Sequence, residues 1–137
     1  MNLWIDCEWN DYRGDLISMA LVSRADDQWY QVLPCESPTP WVQQHVIPVL
    51  GAKEPITLPE MQESLQRFLA GYETVHIIAD WPEDIERFCR LLIVGPGMRL
   101  NTPPLTMEVL RIDSESRVPH NALADAIGFR DHYLREK

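Results

Sequence analysis

Three apolar runs crowd into the first 34 residues, and the stretches between them are too short to carry the chain away from the sheet it has begun. NLWIDC (residues 2–7), LISMALVS (16–23) and QWYQVLP (28–34) are separated by NDYRGD and RADD, rich in Asn, Asp and Gly. Apolar runs of this length bounded by turn residues read as strands. Connections this short join neighbouring strands antiparallel. The chain therefore opens with a three-stranded meander whose last strand ends at Pro34.

The pattern then changes. SPTPWVQQHVIPVLG places Trp41, Val42, Val46 and Val49 at helix-like spacing and predicts a short helix stopped around Pro48. TLPEMQESLQRFLAG predicts a second helix, with Thr57 as cap, Pro59 in the first turn and Gly71 as stop. TVHIIAD reads as a fourth strand, WPEDIERFCRLLIVG as a helix, PGMRLNTPP as a loop and LTMEVL as a fifth, short strand. PHNALADAIGFRDHYLREK closes the chain as a helix that Gly128 weakens from inside. The order βββααβαβα predicts one α/β domain over residues 1–137, a mixed five-stranded sheet with helices on both faces.

Twelve basic and 21 acidic residues give a net charge of −9, which argues against an extended grip on a nucleic acid backbone. Carboxylates that hold divalent cations reverse that argument locally. No stretch approaches the roughly 20 apolar residues that span a bilayer. No basic segment precedes an apolar one at the N-terminus, so the expected location is the cytoplasm, without a membrane partner. Cys7, Cys35 and Cys89 lack metal-ligand spacing and fit reduced thiols, with Cys7 on the strand face opposite Asp6 and Glu8.

Asp6 and Glu8 end the first strand two residues apart, so they share a face and repel unless a cation or proton lies between them. A second acidic group lies in ADWPEDIERF. Asp80 and Glu83 there read as acids gathered at a helix N-terminus, where the macrodipole favours them. Asp84 lies nearer the stripe of Ile85, Phe88 and Leu91 and is the better functional candidate. The third group is His120 and Asp125 in HNALADA, with Ala122, Ala124 and Ala126 small enough for close helix packing. Of the other histidines, His76 reads as a satisfied core residue and His132 as a surface one.

Taken in order, D-x-E at Asp6 and Glu8, an aspartate on the helix after a later strand at Asp84, and H-x4-D at His120 and Asp125 resemble the DEDD superfamily of 3′–5′ exonucleases. The H-x4-D spacing is that of the DEDDh branch, whose fold is ribonuclease H-like. WVQQHVIPVL, which includes His45, and DCEW are similar to the compact bacterial exoribonucleases of the polyadenylate-specific type. One departure stands out: family members often carry His-Asn where this chain has Ala79 and Asp80. Asp84 then falls at the metal-ligand position, with Asp80 as a competing assignment.

The resemblance implies two divalent ions, Mg²⁺ or Mn²⁺, held by Asp6, Glu8, Asp84 and Asp125. It implies His120 as the group that takes a proton from the attacking water. The implied reaction releases nucleoside 5′-monophosphates from the 3′ end of single-stranded RNA. Single-stranded DNA or short oligonucleotides are the alternative substrates, and a catalytically weak nucleic-acid- or protein-binding relative is the alternative from another class. Trp9 and Trp81 are candidate base platforms, and Leu16 and Ile17 candidate walls of the nucleotide pocket. Relatives are frequently homodimers, so a second copy of the chain is an expected partner.

Overall fold

The meander forms as its turns predict. Asn2–Trp9 (β1), Leu16–Ser23 (β2) and Gln28–Val32 (β3) pair antiparallel in sequence order. In the computed structural model, which describes residues 1–136, the chain then crosses the sheet's end through the helix Pro40–His45 (α1) and a 3₁₀ turn at Ile47–Val49. Leu58–Leu69 (α2) follows, opened by the reciprocal hydrogen bonds of a capping box between Thr57 and Glu60. Val75–Ala79 (β4) returns parallel to β1, and Pro82–Leu92 (α3) leads on towards Leu105–Val109 (β7), which lies parallel to β4. Ala122–Arg135 (α4) closes the fold. The result is an α/β architecture with a mixed five-stranded sheet ordered β3-β2-β1-β4-β7.

Strand alternation sorts β1 into two cores. Leu3, Ile5 and Cys7 face Met61, Leu65 and Leu69 of α2 and Phe88 and Leu91 of α3. Trp4 faces the other way, with Ala20 and Ile78 against Ala122, Ala126 and Phe129 of α4. Helices thus cover both faces, and the small alanines let α4 sit close, as its sequence predicts. A third cluster, Ile17 with Val42 and Val46, seats α1.

The sheet opens where β1 and β4 part. Their parallel pairing runs from Asn2 opposite His76 to Trp4 opposite Ile78 and stops, while β4 keeps β7 as far as Ala79 opposite Val109. On its other edge β1 stays paired with β2 through Trp9. An antiparallel neighbour on one side and a departing parallel one on the other leave a crevice beyond the strand's carboxyl end, where open α/β sheets place their ligands.

Several expectations need adjusting. Part of the expected loop 96–104 is strand: Ile93–Gly95 (β5) and Met98–Arg99 (β6) form a hairpin separate from the main sheet. The helix before it accordingly ends at Leu92 rather than reaching Gly95. The third strand stops at Val32, two residues short of Pro34. The closing helix begins at Ala122, since Asn121 caps it by accepting from the Ala124 N–H, and Lys137 lies outside the described residues. His76 is half-exposed rather than core, its ring hydrogen-bonded to Thr106 and Glu108 across the β4–β7 pair. Among the described residues, no helix is long and apolar enough to cross a membrane.

Candidate active site

Asp6 and Glu8 lie on the α4 face of β1, opposite Ala20 and Ser18 of β2. Asp125, in the first turn of α4, comes down on them, so that carboxylate oxygens of Asp6, Glu8 and Asp125 lie within 4.8 Å of one another. From the opposite layer, Asp84 in the first turn of α3 reaches over the end of the sheet. It is 1% exposed, and its Oδ1 accepts the Cys7 N–H at 3.2 Å. That donor is free because β1 has already left β4. Asp80, just beyond the last residue of β4, completes a second group with Asp6 and Asp84, again within 4.8 Å.

Five carboxylates therefore form two groups that share Asp6. The electrostatic cost is visible in their proton affinities. Burial, and then the carboxylates of Asp84, Glu8 and Asp125, push the Asp6 carboxyl well above the usual range. Burial and the neighbouring Asp125 push Glu8 up to about 9. Burial and Asp80 raise Asp84, against the opposing hydrogen bond from Cys7, and burial raises Asp80. Asp6 Oδ2 is buried without a hydrogen-bond partner, a position that demands a proton or a cation.

His120 precedes α4 with φ of 72°, in the left-handed region. Its backbone N–H donates to Asp125 Oδ2 at 3.2 Å, which ties the two ends of the H-x4-D spacing together. With Asp6, Asp80 and Asp125 it lines an open cleft of about 470 Å³, whose far wall is Ser114–Ser116. The structure thus brings Asp6, Glu8, Asp84, His120 and Asp125 to one place. Asp80 stands beside Asp84 in the same group.

The four expected pocket residues divide. Trp81 is 57% exposed at the N-cap of α3, next to Asp80. Trp9 is half-buried on the α2–α3 side, with the Arg87 guanidinium 5.5 Å from its ring centre. Leu16 borders an apolar groove with Leu33, Leu58 and Leu91. Ile17 is a buried core residue beneath α1 and does not line the cleft with His120.

Asp80, which the sequence offers both as a helix-dipole acid and as a competing ligand, stands in one group with Asp6 and Asp84. The sequence does not point to the other contributors. Ser114–Ser116 carry no motif. Trp41 and His45 stand against His120, at ring-centre distances of 5.0 and 6.2 Å, through a contact that no spacing along the chain predicts. No family model matches the sequence, and no curated protein matches it significantly.

Proposed function

We propose that the chain is a metal-dependent 3′–5′ exoribonuclease with a ribonuclease H-like fold. The observation that carries this reading is the sharing of Asp6 by two groups of three carboxylates. Acidic clusters are common, but this one is part-buried and holds an unpartnered oxygen at Asp6 Oδ2. Its donors are all hard carboxylate oxygens, which suit Mg²⁺ or Mn²⁺. Asp6, Glu8 and Asp125 would hold one ion, and Asp6, Asp84 and Asp80 a second. When bound, two such ions acidify the attacking water and neutralise charge on the phosphodiester oxygens. The sheet order, three antiparallel strands followed by two parallel ones, supports the fold assignment.

The chain's own residues supply the rest. A His120 ring nitrogen accepts the proton of the water that attacks the terminal phosphorus. The bond to the 3′ oxygen of the penultimate nucleotide breaks, which leaves a nucleoside 5′-monophosphate and a chain shortened by one. Trp81, exposed beside the cleft, offers a flat face to a base.

The test is end-labelled single-stranded RNA and DNA of equal sequence incubated with pure protein and Mg²⁺ or Mn²⁺. Expected are stepwise shortening of RNA from the 3′ end, loss of activity in chelator, and a rate about 10²–10⁴-fold lower for His120→Ala, the usual share of a general base. Mn²⁺ should raise the melting temperature, and Asp6→Ala should lose most of that rise. Hydrolysis of neither polymer, with a melting curve indifferent to metal, overturns the reading. Equal hydrolysis of both replaces RNA with single-stranded nucleic acid as the substrate.

A further inference from the structure

Most of the cluster rests on strands and helix ends or next to them. His120 sits in a connection, its backbone in a conformation that non-glycine residues seldom adopt. Among the described residues no hydrogen bond reaches its ring; the bond to Asp125 is made by its backbone N–H. Something else must fix the imidazole.

What touches it is α1. The Trp41 and His45 rings lie 4.6 Å apart and 34° from parallel, and the His120 ring stands nearly perpendicular to Trp41 at 5.0 Å. Trp41 is 46% exposed, so burial does not account for its position. The helix that carries the pair is fastened at both ends. At its start, Thr39 N–H donates to Asn10 Oδ1 and Asn10 Nδ2 donates to the Ser37 carbonyl, both at 2.9 Å. Just past its end, Asn121 Nδ2 donates to the Val49 carbonyl at 2.8 Å, and Tyr30 Oη donates to the Leu50 carbonyl at 2.9 Å. Asn10 belongs to the turn that follows Glu8, and Asn121 is the residue after His120. The segment between them is thus pinned to both halves of the site.

We infer that Trp41 and His45 are positioning residues, an aromatic buttress on α1 that holds the His120 imidazole over the carboxylate cluster. The kinetic part of this inference rests on the exoribonuclease reading; the geometric part does not. Reactions that depend on placement lose about 10²-fold for a misplacement near 1 Å, so a freed imidazole should slow the chemical step without weakening substrate binding.

The experiment follows the imidazole Cε1–H resonances by NMR in the full chain, with the His120 signal assigned from His120→Ala. A ring-current-shifted His120 signal is expected in the wild type. Trp41→Ala should move it towards the free-imidazole position, Trp41→Phe should restore most of the shift, and His45→Ala should move it less. In the same variants kcat should fall about 10-fold or more for Trp41→Ala, with KM and the Mn²⁺-induced rise in melting temperature unchanged, and Trp41→Phe should recover it. An unshifted wild-type signal, or an unchanged kcat in Trp41→Ala, overturns the buttress. So does a raised KM with kcat intact, which would make Trp41 a substrate contact. If the wild type hydrolyses neither polymer, the exoribonuclease reading fails while the NMR shift still decides the buttress.

Discussion

Asp6 is the residue on which everything at the cleft converges, and its position follows from strand geometry alone. Alternation put Asp6 and Glu8 on one face and Cys7 on the other, so this half of the cluster was legible in seven letters of sequence. The grouping of Asp80 with Asp6 and Asp84 was not, because it depends on β1 and β4 parting at Trp4, a fact of register rather than of local pattern. The crowding has a measurable consequence. Glu8 keeps its proton to about 9 in the folded chain, against 4.5 for an ordinary glutamate. The folded state therefore binds more protons than the unfolded one between those values, and metal-free stability falls as pH rises through that window. Below about 4.5 the contribution of Glu8 is fully present, and above about 9 it is gone. In chelator the melting temperature should drop steadily from pH 5 to 9. Glu8→Gln, which cannot ionise, should flatten that slope and melt higher than wild type at pH 8, by about 4 °C for each kcal/mol of relieved repulsion in a domain of this size. Parallel slopes for the two proteins would place the strain elsewhere.

At the scale of elements, Gly128 shows how a local reading can be right about a residue and miss its purpose. In sequence it is a weak point in the closing helix, where alanine is better by about 1 kcal/mol. In the fold a Cβ at this position would sit 2.1 Å from the Glu115 carbonyl oxygen and 3.3 Å from Ser116 Cα. Gly128 is thus the gap through which the segment carrying Ser114–Ser116, one wall of the cleft, lies down on α4. Gly128→Ala should lower stability by about 1–3 kcal/mol, the usual cost of overpacking, opposite in sign to the gain that helix propensity alone predicts. Thermal melting decides between them. The long amphipathic elements were readable for the contrary reason. Thr57 and Glu60 cap α2 and its apolar stripe faces the core, so every local signal agrees with the tertiary result. The β5–β6 hairpin has no such redundancy. Ile93 and Val94 continue the apolar composition of α3, and only pairing with Met98 and Arg99 turns them into strand.

At the scale of the whole molecule, the proposed activity sets a net charge of −9 against a polyanionic substrate, and the architecture bears on how long a stretch such a chain would grip. The order of strands and helices was legible because each element is bounded by its own turn or cap. The meeting of α3, α4 and the end of β1 at one crevice was not, since it depends on how the two helical layers close over a sheet. That crevice gathers the acids, and divalent ions held there would reverse the local field. Away from it, four of the twelve basic residues are engaged in ion pairs among the described residues. Arg130 pairs with Asp26 and Asp131, Arg67 with Glu63, Arg90 with Glu86, and Arg87 lies by Glu83. With 21 acidic against 12 basic residues, the chain has no excess of cations to follow a backbone beyond the terminal nucleotides. Affinity for a single strand falls with salt at a slope of about −0.7 for each phosphate neutralised, so a grip confined to the end gives a log(1/KM) against log(salt) slope of about −1. At constant Mg²⁺, RNAs of roughly 5 and roughly 25 nucleotides should share that shallow slope and have similar KM values, because the added phosphates meet a chain of net negative charge. A slope of about −3 or steeper for the longer RNA alone would reveal a basic track among the arginines outside these ion pairs.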